Sequence, residues 1–433
     1  MNHLSTFQII VFGLSIFFLI LGVGIFAAFG GLLGGSSVGP VTVWGTMDAS
    51  VMSNLLATLR QSDKTFENVQ YIQKDPATYD TNLVSAMAAG TGPDLFLVSQ
   101  DTVSSFADKI KAIPYGSYSQ AQFTGSFIDE GQLFLTNTGA LALPFSIDPL
   151  VMYYNRDLFA AAGLAQAPKY WNDFLTIAPK ITSLDTNSNV QKSAVALGVW
   201  PNIDHAKDIL STLFMQAGDP IIVRGSDGSL VPVFGQTPVN APANPAESAL
   251  RFYTEFADPS KTTYSWNASL PEASIAFTSG DVAVYFGFAS EYPSLAARNP
   301  NLHFSAALLP QLQGNSSQLT FGELTSVAIS RTAHNPAGAL AVAEKLTGQQ
   351  AILLLTQAEG LPPVRRDVIV DTSSSAALQV FVQSSLLSKA WLDPAPAQTN
   401  AIFKTMIESV ISGAEQPAGA VSLGAQSLAQ ISH

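Results

Sequence analysis

The sequence predicts an α/β fold in two lobes, preceded by one N-terminal transmembrane helix. Three observations lead there. The chain has 433 residues, more than a single hydrophobic core ordinarily organises. After residue 40, short β-type runs alternate with helical runs, the order of a helix-covered parallel sheet. Before residue 30 lies one long apolar stretch.

That stretch, Phe7 to Phe29, reads FQIIVFGLSIFFLILGVGIFAAF and is interrupted only by Gln8 and Ser15. As a helix it crosses a hydrocarbon layer of about 30 Å. The apolar core of a cleaved signal is usually only ~7–15 residues, so a retained single-pass anchor is expected. Cleavage at Ala28-Phe29-Gly30 is the alternative. The first Lys or Arg is Arg60, so loop charge does not orient the helix. Residues 1–6 form a tail, and residues 30–40 (GGLLGGSSVGP) read as a flexible tether. Gly35, Ser37 and Gly39 match the G-x-S-x-G of serine hydrolases. That motif works on a sharp strand-to-helix turn, which a tether does not supply.

Beyond the tether, Val41 to Trp44 is a β-type run, and Val51, Leu55, Leu56 and Leu59 share one face of a helix over Asp48 to Arg60. A strand at Val69 to Ile72 and a helix at Tyr79 to Ala89 follow. The breaker Gly90-Thr91-Gly92-Pro93 then leads into an apolar strand, Asp94 to Val98. Open α/β sheets bind ligands outside the carboxyl ends of their strands, which points to Gly45 to Asp48 and Ser99 to Asp101. A second unit begins near Leu141. It has a strand at Val151 to Tyr154, a helix from Arg156 capped by Gly163, a helix at Trp171 to Ile181 and a strand at Ala194 to Val199. Gly235 to Pro245 and Gly314 to Ser317 read as surface loops.

Composition excludes several functions. Hydrophobic residues are 47% and charged residues 12% of the chain, about half the usual charged share, which describes a folded, core-rich protein. The net charge of −12 argues against nucleic acid, whose phosphates require a concentrated basic surface. No cysteine is present, so disulfides, thiol catalysis, Cys-ligated metals and lipid attachment at cysteine are ruled out. The five histidines are scattered, with no i, i+4 pair to grip a metal. No cofactor is expected. Asp185-x-Asn187-x-Asn189 imitates the start of a calcium loop but lacks its later glycine and glutamate, and reads as a turn. Tyr153-Tyr154 lies in an apolar strand, where core packing is the better reading than iron ligation.

Six stretches together resemble a known family: TVWGTMD (42–48), YDTNLVSAMAAGTGPDLFLV (79–98), LPFSIDPLVMYYNRDLFAAAGL (143–164) with YWNDF (170–174), AFTSGDVAVYFG (276–287), ELTSVAISRTAHNPAGALAVAEKLTGQQAILLL (323–355) and GLPPVRRDV (360–368). The family is the extracellular solute-binding proteins of family 1, the maltose-binding-like receptors of bacterial ABC importers. The resemblance implies a two-lobed, periplasmic-binding-protein-like fold of type II. Its crossings fall near Leu143, Thr325 and Asp371, giving lobes of residues 41–143 plus 325–370 and 144–324 plus 371–433. It also implies a monomer that hands its ligand to ABC permease subunits in the membrane. Many Gram-positive relatives carry a lipid-bearing cysteine that this chain lacks, so the N-terminal helix takes the place of that lipid.

A sugar receptor needs flat aromatic faces for the apolar side of a pyranose, with carboxylates and amides around its hydroxyls. Trp44 and Trp200 end strand-like runs, and Trp266 lies in an irregular stretch; all three are candidates, with packing as the ordinary alternative. Trp171 and Trp391 read as structural. Among the acids, Asp48 follows the first strand, Asp148 follows the first crossing, and Glu291 and Glu323 adjoin apolar strands; helix capping or a rim ion pair is the alternative for each. Asp94, after its breaker, and Phe288, at the end of an apolar run, complete the candidate ligand-binding set. The expected function is carbohydrate capture without chemistry. A glycoside hydrolase is the alternative, because Asp148, Glu291 and Glu323 could supply its two carboxylates; a sensor presenting bound ligand is a third possibility.

Overall fold

The computed structural model describes residues 38–236, 244–314 and 317–431. The expected tail, anchor and most of the tether, together with Gly35 and Ser37 of the hydrolase-like motif, lie outside the described residues, as do the centres of both expected loops. No helix among the described residues is long and apolar enough to cross a membrane. The described chain forms two compact units: residues up to Leu95 with Thr332–Lys345, and Phe96–Arg331 with the residues from Leu346 onward.

In the first unit, β1 (Val41–Gly45) pairs in parallel with β2 (Val69–Gln73), Val41 opposite Val69 and Gly45 opposite Gln73. Helix α1 (Ala49–Ser62) connects them and buries Met52, Leu55, Leu56 and Leu59, the i, i+3, i+4, i+7 set of an amphipathic helix. Helix α2 (Tyr79–Ala88) buries Tyr79, Leu83 and Met87. The returning segment is fastened by Asp94. One of its carboxylate oxygens accepts the Thr42 N–H at 2.9 Å and the Thr42 hydroxyl at 3.0 Å; the other accepts the Asn335 N–H at 2.9 Å.

The second unit is built on a sheet containing, in chain order, β3 (Leu95–Ser99), β4 (Ala142–Asn155), β5 (Val190–Val195), β6 (Val282–Phe288), β7 (Phe304–Ala307) and β8 (Gly322–Ile329). Across the sheet the order is β3, β8, β4, β6, β5, with β7 also on β4. The expected parallel sheet is therefore mixed: β4 runs antiparallel to β6, β7 and β8, whereas β6 runs parallel to β5. Expectation and structure also differ at 194–199. The ladder covers Val190–Val195 and stops before Gly198. That glycine has φ +109° and lies so close to Ala257 that a Cβ would come within 2.7 Å of the Ala257 nitrogen, a backbone position that favours glycine. Trp171, Trp391 and Tyr153 are 1%, 3% and 0% exposed and belong to the core. Asp185 accepts the Asn187 and Asn189 N–H groups, closing a turn.

Candidate functional site

One cavity of the second unit, about 420 Å³, is lined by residues from five places in the chain, one of them Glu272. Asp101 follows the carboxyl end of β3, and Glu323 stands near the start of β8. The segment Trp200 to Asp208 leads into helix α3 (Ala206–Gln216), and Asn400 comes from the helix Pro396–Ile411. Asp208 sits in the first turn of α3, where the partial positive charge of a helix start favours an acid.

Glu323 is directly opposite Asp148 across the antiparallel β8–β4 ladder, so both side chains leave the same face of the ribbon. Asp148 accepts the Ser290 N–H at 3.0 Å. Burial pushes Asp148 and Asp101 up to about 6. Glu323 rises to about 8, through loss of solvation first and then through the charges of Asp208, Asp148 and Asp101. Its side chain nonetheless keeps an open face, because it borders the cavity while protein encloses it further out. Cavity water therefore moderates that rise.

The two cations of the cavity are both engaged. Lys207 Nζ lies 2.5 Å from Asp393, whose side chain is fully buried. His205 Nε2 lies 2.7 Å from Glu291 Oε1. Glu291 also accepts the Tyr285 hydroxyl at 2.6 Å and the Phe288 N–H at 2.7 Å. Burial alone would raise Glu291, but these donors outweigh it and hold the carboxyl below its usual value. His205 is pulled down by burial and raised further by Glu291, for a net rise. Asp101, Asp204, Asp208, Glu272 and Glu323 thus line the cavity against one lysine and one histidine. Such a surface offers acceptors to hydroxyl or ammonium donors. Among the described residues no three His, Asp or Glu are grouped to hold a metal ion.

Of the sequence candidates, Trp200 and Glu323 line this cavity. Asp148 lies opposite Glu323, Glu291 holds His205, and the Phe288 ring, 4% exposed, meets the His205 ring edge-on at 4.8 Å. Trp266 is placed in the core at 1% exposure, its indole N–H donating to Asn202 at 2.9 Å. Trp44, Asp48 and Asp94 belong to the first unit. The Trp44 ring has Lys74 Nζ 3.5 Å above its centroid. Asp48 caps α1 by accepting the Ser50 and Val51 N–H groups, and Asp94 holds the clamp described above. Sequence reasoning missed His205, Lys207, Asp208 and Asp393. The run His205-Ala-Lys-Asp208 carried a usable signal, three titratable groups at a helix start, whereas nothing in the sequence brings Asp393 to Lys207.

The profile of the bacterial extracellular solute-binding proteins matches residues 56–352. A putative binding protein of Brucella abortus is 31% identical over 106 residues, which cover 24% of this chain and 25% of that protein. The sn-glycerol-3-phosphate-binding periplasmic protein of Escherichia coli is 26% identical over 160 residues, 34% of this chain and 36% of that one. The chain thus matches only about a quarter to a third of the length of these curated relatives. Among solved structures, a cyclo/maltodextrin-binding protein complexed with maltotetraose superposes with TM-score 0.73 at 18% identity, covering 92% of this chain and 97% of the other. The cyclic alpha-maltosyl-1,6-maltose binding protein of Arthrobacter globiformis gives TM-score 0.74 at 18% identity, covering 91% and 99%. At such identities the superpositions show a shared fold.

Proposed function

From a chain that belongs to the bacterial extracellular solute-binding protein family, we propose capture of a carbohydrate outside the cytoplasm and its delivery to an ABC permease. The observation that supports this is the 420 Å³ cavity, where the Trp200 ring stands among carboxylates and an amide. An indole face suits the apolar side of a pyranose, and carboxylates accept from its hydroxyls. Solved proteins of the same fold were captured with maltotetraose and with alpha-D-tagatose bound, which supports the same ligand class. In this reading the lobes are residues 41–143 with 325–370 and 144–324 with 371–433, and capture closes the hinge that joins them. Residues 7–29 hold the receptor at the membrane. N-terminal sequencing of the native protein tests that anchor, since a mature start near Gly31 removes it.

Capture is tested by titrating the full-length chain with neutral saccharides, amino acids and metal ions while following tryptophan fluorescence, then repeating the titration on Trp200→Ala. Stacking contributes on the order of 1 kcal/mol beyond area burial, so the variant should bind at least about fivefold more weakly. If no saccharide binds, or Trp200→Ala binds as tightly as the parent, the reading fails. A second reading rests on Glu323 facing Asp148, since paired carboxylates are what glycoside hydrolysis requires. The family is one of binding proteins, and Asp148 is engaged with Ser290, so binding without bond cleavage is favoured. New reducing ends after incubation with an oligosaccharide, lost in Glu323→Gln, would reverse that preference.

A further inference from the structure

A different cavity of the second unit, about 680 Å³, is lined chiefly by apolar side chains including Leu133, Leu135, Met215, Ile222 and Leu392. Glu130 is on the same wall. It is 2% exposed, and neither of its carboxyl oxygens has a hydrogen-bond partner. The side chain belongs to the 3-10 segment Asp129–Phe134 and tucks one oxygen against Gly322, in the space that a side chain at Gly322 would fill. More than nine in ten buried polar groups are hydrogen-bonded, and an unmade bond is costly. A buried acid with two idle oxygens, on the wall of an apolar cavity, is a group set to receive a partner.

The charge of that partner follows from the surroundings. Burial first, and then the charges of Asp101 and Glu323, push Glu130 well above the usual carboxylate range; the neutral form that this favours offers one O–H donor and a carbonyl acceptor. Arg224, also on the wall, already donates to the Gly228 and Leu133 carbonyls, and Lys389 is exposed. A hydroxyl both donates and accepts, and so satisfies a neutral carboxyl without changing its charge.

We propose that this cavity is a second binding site, apart from the Trp200 cavity, for a neutral amphiphile that lays a hydrocarbon portion along the leucines and gives a hydroxyl to Glu130. A medium-chain alcohol has this chemistry. The carboxyl reaches the ligand by turning out from beneath Gly322 into the cavity.

The experiment titrates the full-length chain calorimetrically with heptan-1-ol, and in parallel with heptane-1-sulfonate, which keeps the tail and replaces the hydroxyl head by an anion. Saturable binding of the alcohol is expected, with the sulfonate at least about tenfold weaker. Glu130→Leu should weaken the alcohol by at least about fivefold while melting no lower than the parent, because it removes an unpartnered polar group. Glu130→Gln, neutral and able to donate and accept, should retain binding. Heptan-1-ol carries no sugar ring, so its binding stands or falls apart from carbohydrate capture. Should Glu130→Leu not fold, Leu230→Trp, which fills the cavity from a half-buried position on its wall, must weaken the alcohol instead. Absence of saturable binding, equal binding of the sulfonate, or binding that Glu130→Leu or Leu230→Trp leaves intact overturns the proposal.

Discussion

Trp266 packs at 1% exposure with its indole N–H on Asn202 at 2.9 Å, and Asn202 in turn donates to the Asn267 and Leu270 carbonyls. Trp200 is only half-buried and lines a polar cavity. The two substitutions to alanine should therefore separate. Trp266→Ala opens a cavity and leaves the Asn202 side-chain oxygen without its donor, so it should lower unfolding free energy by about 3–5 kcal/mol. Trp200→Ala should lower it by less than about 1 kcal/mol. Urea unfolding of both variants decides it, and equal losses would show that Trp200 is a core residue too. Sequence could not separate these indoles, because Trp200 ends a strand-like run, Trp266 lies in an irregular stretch, and in either place exposure depends on what arrives from elsewhere. Asn202 is distant from Trp266 in sequence, and the pairing exists only once the loops meet. Asp48 and Asp94 were legible as acids beside strands. Their engagement with backbone N–H groups was the ordinary alternative, and for Asp94 the Asn335 partner lies in the returning segment of the chain.

At the scale of elements, the β8–β4 ribbon makes the acid chemistry. Strand β4 runs fourteen residues, although only Val151 to Tyr154 is legible as a strand. Pro144 and Pro149 break the pattern, since proline has no N–H for a ladder and argues against a central strand. The structure accommodates them: Pro144 pairs with Ser326 beside the register shift, and Pro149 faces Gly322. The same register sets Glu323 against Asp148, and like charges directly opposite on an antiparallel pair are destabilising. With Glu323 raised to about 8, it is protonated at pH 5 and largely ionised at pH 9. Glu323→Gln should therefore leave stability unchanged at pH 5 and increase it at pH 9. Thermal melts of parent and variant at the two pH values test this. A gain at pH 5 equal to that at pH 9 would mean that the benefit is not electrostatic.

For the whole molecule, a net charge of −12 is joined to a set of acids that hold their protons unusually firmly when folded. Burial is the first cause for every one: Asp101, Asp148 and Asp219 rise to about 6, Glu359 to about 7 and Glu323 to about 8. Each binds its proton more tightly in the folded chain than in the unfolded one, so folding is favoured below the ordinary carboxylate range. That advantage is lost as pH rises through about 6 to about 8. His205, also raised, loses its contribution in the same direction. Glu291, held low by its donors, works the opposite way, but its contribution disappears only in acid, below the window concerned. The melting temperature of the ligand-free protein should therefore fall steadily from pH 5 to pH 8, whereas many proteins have their stability maximum within that range. One pKa unit corresponds to about 1.4 kcal/mol, so the decline should amount to several degrees across this window. Calorimetric scans at intervals of half a pH unit measure it. The slope should shrink in Asp148→Asn and Glu323→Gln, because each removes a proton that the folded state retains. A melting temperature that rises between pH 5 and pH 8 would mean that the cavity acids are ionised in the folded protein, and that the carboxylates around Trp200 stand as a charged wall rather than a partly protonated one.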